Sequence, residues 1–262
     1  MKSQIWGSNS HFNMPKHDLL AKILNLLRPG RSSAVQIPID PQDLNPSLKA
    51  VARYFGGPDY PLVGKTRQRI DAGIKQALAI VKPMVSYRAI PVDDIDEFPH
   101  SHWTEEVLAQ IFCGESDSHA QYLAVYVGTL GSTLETTCRD LATRNQIYQS
   151  LLLDAVGTAM LDKLSTICND IVSLHAKQLG CFSGCRLGPG LNGIPLESHA
   201  LLFELLGQQS AGVCLNEAFI MLPAKSITAF SVMSDTEQPK IPGNKCQHCT
   251  MQHCQFRTNR HH

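Results

Sequence analysis

Apolar positions along the chain follow two rhythms, one helical and one alternating, without a regular succession of the two. Leu19, Leu20, Ile23, Leu24 and Leu27 recur at helical spacing between His17 and Leu27, until Pro29-Gly30 stops the run. That stripe predicts a helix packed on the body. Asn45-Pro46 reads as a cap followed by a first-turn proline, opening a helix that runs to Phe55 and ends at Gly56-Gly57. Lys65 to Val81 is again amphipathic, Pro83 breaks it, and Met84 to Val92 alternates as a strand does. Thr104 to Phe112 predicts a short helix closed by Gly114. His119 to Gly128 is rich in aromatic and β-branched residues and predicts a buried strand, left through the turn Thr129-Leu130-Gly131.

From Leu134 to about Leu179 the pattern is helical throughout, with a break near Asn145 and a stop at Gly180. A short extended piece from Cys181 to Leu187 and a glycine loop come next. A helix over Leu196 to Leu206 follows, then two strand-like runs, Glu217 to Leu222 and Ser226 to Met233. After Ser234 the apolar pattern vanishes, and Pro239, Pro242 and Gly243 lead into a cysteine-rich tail. Mixed elements without βαβ alternation and without an internal repeat predict an α+β fold. Three parts are expected: a lead-in over residues 1–45, a body over 46–233 and a tail over 234–262.

Composition narrows the class. The chain has 262 residues, 43% of them hydrophobic, which is enough for a core that folds unaided. Its 23 basic and 23 acidic residues cancel, so the basic field of a general nucleic-acid binder is missing. No apolar run reaches the length of a membrane span; the best, Ser150 to Leu161, is interrupted by Asp154. The first residues lack the apolar core of a signal peptide, so a cytoplasmic setting is expected.

Nine cysteines is a high count, and without an export signal they read as buried thiols or metal ligands. Cys113, Cys138 and Cys168 are scattered through helical sequence and read as structural. Cys246, Cys249 and Cys254 fall within nine residues, and a C-x-x-C step puts two sulfurs on one turn, suited to one metal centre. Three thiolates are one ligand short of a tetrahedral zinc site or a thiolate-ligated cluster. His248 or His253 could complete a zinc site, and Cys181, Cys185 or Cys214 could complete either. His100-Ser101-His102, beside Asp93, Asp94, Asp96 and Glu97, reads as a solvated loop.

Two further stretches carry candidate chemistry. In Cys185-Arg186-Leu187-Gly188-Pro189-Gly190-Leu191-Asn192-Gly193, three glycines allow a ligand close to the backbone and Pro189 limits the loop's freedom. Arg186 at its entrance offers a planar fork for a carboxylate or phosphate. The G-x-G-x-x-G spacing of a dinucleotide site is absent. The run Leu215 to Phe230 reads as two strands hinged at Pro223, with Lys225 and Ser226 at the hinge.

In order and spacing, Arg186-x-x-Pro189-Gly190, the helix Leu201 to Leu206, and Leu215-x-Glu217-x-Phe219-x-Met221-x-Pro223-x-x-Ser226 resemble the activation domain of cobalamin-dependent methionine synthase. Val51 to Gly56, Val127 to Gly131, Leu153-Asp154-Ala155 and the cysteine tail ending in Arg257 resemble the short, free-standing members of that family. The likeness covers roughly residues 46 to 257. It implies a C-shaped antiparallel sheet flanked by helices that binds S-adenosylmethionine. In the family this donor methylates cobalamin that has oxidised to the cob(II) state, once an electron is supplied, and the cobalamin sits in another domain or chain. The resemblance gives Arg186 to the donor's carboxylate, the backbone at Gly188 to a ligand contact, and Pro189-Gly190 to the shape of the loop. It also counts among the donor-binding residues Ser226, which falls at the family's hairpin serine, and Lys225, which matches the free-standing members. Two positions depart: Leu191 stands where the family has a tyrosine, and Gly180 where it has an acidic residue. The implied role is an activation factor for a separate corrinoid protein or methionine synthase. The alternative is an accessory protein whose iron–sulfur cluster or zinc serves electron delivery or docking on a corrinoid enzyme.

Overall fold

Strand β3 (Ala120–Thr129) is the centre of the molecule, and its sequence says why. Leu123, Ala124, Val125, Tyr126 and Val127 are apolar without interruption and fully buried, as a strand covered on both faces must be. Around it runs a five-stranded sheet in the order β1-β2-β3-β7-β4, antiparallel throughout. Its other strands are β1 (Val35–Pro38), β2 (Met84–Pro91), β4 (Phe182–Ser183) and β7 (Ser226–Ser234). A separate two-stranded ladder pairs β5 (Cys214–Leu215) with β6 (Met221–Leu222). The computed structural model describes residues 33–97, 119–190, 194–207 and 210–237, together with Ile23 and Leu27.

Alternation along the strands sorts the core into two layers. Ala124 and Tyr126 of β3, with Val85 and Tyr87 of β2, pack against four helices: α1 (Leu48–Gly56), α2 (Gly64–Ile80), α3 (Thr133–Thr143) and α4 (Ile147–Gln178). Leu123, Val125 and Val127 face the other way and pack against Leu201, Leu202, Leu205 and Leu206 of α5 (Ser198–Leu206). The fold is therefore α+β, as the sequence pattern predicts, with the antiparallel sheet flanked by helices that the resemblance implies. Among the described residues no helix is long and apolar enough to cross a membrane.

Helix α4 has 32 residues and is about 48 Å long at 1.5 Å per residue. It packs against α1, α2 and α3 and crosses the sheet at β3, β4 and β7. Both of its ends were legible. Asn145, at φ 60, separates it from α3. At the other end Gly180 takes φ 74, its N–H donates to the Lys177 carbonyl at 3.2 Å, and the Cys181 N–H reaches the Ala176 carbonyl at 2.8 Å. That pair of bonds is a Schellman closure, which turns the chain sharply back towards β7.

Elsewhere the local chemistry moved the boundaries. The cap of α1 is Ser47, whose hydroxyl accepts the Ala50 N–H at 3.1 Å, and not Asn45. Pro46 holds Asn45 out of the helical region, so Asn45 ends the 3₁₀ turn Pro41–Leu44 instead. The strand expected over Glu217 to Leu222 shrinks to Met221–Leu222. The reason is Asn216, whose side chain accepts the N–H groups of Ala218 and Ile220 at 3.0 and 2.9 Å and folds the intervening residues into a turn. Strand β1 lies within the stretch read as lead-in, ahead of residue 46. Ile23 and Leu27 are buried in the layer formed by α1 to α4, and the Leu27 N–H donates to the Ile23 carbonyl at 3.0 Å. The rest of the helix expected from His17, the helix expected over Thr104 to Phe112, His100-Ser101-His102, Cys113, Leu191 and the tail with Cys246, Cys249 and Cys254 lie outside the described residues.

Candidate functional site

After the Gly180 turn the chain runs along the outer side of β7. Phe182 and Ser183 pair with Ser234 and Met233, the Gly184 N–H donates to the Val232 carbonyl at 2.8 Å, and Leu187 exchanges two bonds with Phe230 at 3.0 and 2.9 Å. Arg186 is held between these anchor points. Its side chain crosses to α4, where Nη1 donates to the Ser165 hydroxyl, and its guanidinium lies near the Tyr126 hydroxyl of β3. Tyr126 in turn donates to Asn169 Oδ1 at 3.1 Å. Burial pushes the Tyr126 phenol above its ordinary value, and the nearby guanidinium pulls it back. Burial likewise raises the Cys168 thiol one helical position away, with Arg186 again opposing. Both groups are therefore uncharged at neutral pH, and the guanidinium carries the local charge. Among the described residues it has no carboxylate within ion-pair distance.

The glycine loop continues from Leu187. A side chain at Gly188 would press its Cβ to 3.1 Å from the Thr228 carbonyl, so glycine here lets the loop lie flat against β7. Gly190 takes φ 76, a conformation that favours glycine, and its N–H donates to the Ile194 carbonyl at 2.9 Å, closing the loop.

Lys225 and Ser226 sit at the start of β7, where the hairpin from β6 arrives. Lys225 Nζ lies 2.9 Å from Asp154 Oδ1 and donates to the Thr158 hydroxyl at 2.9 Å, so it too is seated on α4. Ser226 lies inward. Its hydroxyl is 2.7 Å from the Pro223 carbonyl and 2.9 Å from Thr129 Oγ1, which also accepts the Gly131 N–H at 3.1 Å. One arrangement of protons satisfies all three bonds: Gly131 N–H to Thr129, the Thr129 hydroxyl to Ser226, and the Ser226 hydroxyl to Pro223.

Arg186 and Lys225 thus reach the same side of one helix. Ser165 stands seven residues beyond Thr158, two turns or about 10.5 Å along the axis. Asp154, Thr158, Ser165, Asn169 and Ser173 form a polar stripe along one side of the helix, and Ser173 completes it by meeting the Ser183 hydroxyl at 3.1 Å. Sequence reasoning named the two cations and the loop but missed Ser165, Asn169 and Tyr126. Ser165 and Asn169 share a signal, small polar residues recurring with the helical period, whereas Tyr126 on its buried strand had none.

Other features lie apart from this stripe. A cavity of about 420 Å³ opens between α2 and the start of α4, lined by Arg69, Gly73, Gln76, Tyr148, Gln149 and Leu152 among others, and contains none of the predicted residues. Of the cysteines considered as completing ligands, Cys181 is buried, Cys185 half-buried and Cys214 exposed. No group of three or more His, Cys, Asp or Glu side chains able to hold a metal is assembled among the described residues.

Known proteins place the fold. A crystal structure of the MetH reactivation domain bound to AdoHcy is similar to this chain, with 15% identity, 80% of this chain and 81% of that one covered, and a TM-score of 0.54. The likeness is one of fold. No protein-family model matches the sequence, and no curated protein does.

Proposed function

We propose that this chain binds S-adenosylmethionine through Arg186 and serves as an activation factor, presenting the methyl group to cobalamin held by a separate corrinoid protein or methionine synthase. One observation carries the proposal: a half-buried guanidinium without a carboxylate partner among the described residues stands beside a glycine loop, in a fold shared over four-fifths of both chains with a domain solved with AdoHcy. A carboxylate is the natural complement of a fixed guanidinium fork. Gly188, Pro189 and Gly190 would shape the backbone against the ligand, and Lys225 with Ser226 would brace the hairpin that borders the same stripe of α4. The transferable methyl resides on the donor's sulfonium, AdoHcy is what remains after transfer, and the electron that the partner's cobalamin requires would come from a separate donor. Cys246, Cys249 and Cys254 are proposed to hold an iron–sulfur cluster or zinc.

Calorimetric titration with AdoHcy and S-adenosylmethionine tests the binding step. Saturable one-site binding is expected, and Arg186→Ala should weaken it by about 10- to 100-fold, the loss of hydrogen bonds to a charged group. Absence of binding by wild-type protein, confirmed by equilibrium dialysis, would refute the proposal.

A further inference from the structure

A guanidinium recognises a carboxylate well when its plane is fixed before the ligand arrives, because little rotamer entropy is then left to lose. Arg186 is met in this way by two neutral oxygens on separate elements, one bonded to it and one beside it. Ser165 is a buried residue of α4 and accepts from Nη1. Tyr126 is fully buried on β3 and its phenol, whose pKa burial raises, lies near the same guanidinium, which lowers it. A phenol has one proton, and Asn169 Oδ1 takes it at 3.1 Å, so the lone pairs of the Tyr126 oxygen are left to accept from Arg186. Both acceptors are neutral and leave the positive charge of Arg186 uncancelled. Arginine has five N–H donors; with one given to Ser165, four remain for the Tyr126 oxygen and a ligand. A carboxylate in place of Ser165 or Tyr126 would hold the guanidinium equally well but would compete with the ligand for its charge.

We infer that Ser165 and Tyr126, backed by Asn169, are positioning residues that hold Arg186 as a charged, pre-aimed receptor for the carboxylate of an amino-acid-bearing ligand. This rests on the proposal that Arg186 contacts the donor. It adds residues from α4 and β3, elements remote in sequence from the glycine loop, to the ligand site.

Tyr126→Phe and Ser165→Ala each remove one acceptor with little change of volume, and Ser165→Thr keeps the hydroxyl. Two readouts on the full chain separate this inference from the one beneath it. The first is AdoHcy affinity by calorimetry, with the melting temperature recorded for each variant. Tyr126→Phe and Ser165→Ala should each weaken AdoHcy by about fivefold to tenfold, and Ser165→Thr should restore affinity to within about twofold of wild type. The second is the nitrogen NMR spectrum of the Arg186 guanidinium, assigned by its loss in Arg186→Lys. A held guanidinium gives separate Nη signals, and these should merge in Tyr126→Phe and Ser165→Ala. If wild type binds AdoHcy while both variants fold and bind equally well, the positioning role is overturned and the donor proposal stands. If wild type fails to bind AdoHcy, the donor proposal and the ligand part of this inference fall together, and the NMR signals still decide whether the network holds Arg186. Nη signals already merged in wild type overturn the inference whatever the affinity.

Discussion

Acid should destabilise this protein through His175, near the C-terminal end of the helix that seats Arg186. The imidazole is 6% exposed, its Nδ1 lies 2.9 Å from the Tyr87 hydroxyl, and its Nε2 is buried without a partner. Burial lowers its pKa, because the charged ring would lose its solvation there. A histidine with a lowered folded pKa contributes stability that is present above the unfolded value and lost as pH falls towards the folded one. With an unfolded pKa of about 6.5, the loss between pH 7.5 and 5.5 is at most about 1.4 kcal/mol, reached when the folded ring stays neutral across that range. His199 titrates in the same sense: burial lowers its pKa, and bonds to the Phe219 and Leu196 backbone oppose that effect. The two together set a ceiling of about 2.8 kcal/mol. Burial raises the pKa of Asp170, which works in the opposite direction at lower pH, so the comparison belongs above pH 5.5. Urea unfolding of wild type and His175→Gln at pH 7.5, 6.5 and 5.5 isolates the His175 contribution, since glutamine can still accept from Tyr87. Stability of the wild type should fall with pH, and that of His175→Gln should fall less, by up to about one proton's slope. Parallel pH dependence in the two proteins would refute the assignment.

Two further outcomes are expected. The Lys225–Asp154 pair joins the β6–β7 hairpin to α4 at 2.9 Å with side chains 16% and 55% exposed, so solvent screens it and a double-mutant cycle with Lys225→Met and Asp154→Asn should give about 0.5–1 kcal/mol of coupling. Zero coupling in urea unfolding would mean that the hairpin is seated by other contacts. For the tail, protein purified without oxygen should carry iron with sulfide, or zinc, by elemental analysis, and Cys246→Ser/Cys249→Ser should lose it; unchanged metal content in that variant would remove both cysteines from a metal site.

Most of the architecture was legible where side-chain period and terminator agreed. The run Leu134 to Leu179 has helical period, Asn145 and Gly180 can take the left-handed conformation, and the structure breaks and stops the helix at those residues. Leu123 to Val127 has no alternation because both faces of β3 are covered there, so its burial followed from the absence of polar positions. What failed was short or decided by side-chain hydrogen bonds. Strand β1 has four residues, too few for a period, and its existence depends on the register Val35 to Tyr87, which no local pattern encodes. The Asn216 turn replaced a strand because one amide group accepts two N–H groups across four residues.

The candidate site shows the same division between local and distant signals. Arg186, the glycines and the Lys225-Ser226 hinge stand out because their residue types are unusual for the segments that hold them. The partners of Arg186 do not, since serine, asparagine and tyrosine are unremarkable within a long helix and a buried strand. Their meaning depends on α4 crossing the sheet so that Ser165 and Asn169 meet Tyr126. Yet the helix had little apolar reason to carry Asp154, Thr158, Ser165, Asn169 and Ser173 on one side, and each of the five now has a polar partner across the seam: Lys225 for the first two, Arg186, Tyr126 and Ser183. Four of these contacts would be satisfied by neutral hydrogen bonding or by local charge pairing alone. Arg186 at Ser165 is the exception, a cation given neutral acceptors. Burying a charge partway with no opposite charge among the described residues costs free energy, and an apolar or neutral side chain would have closed the seam at less cost. That cost is the physical reason for seeking an anion at this point on α4.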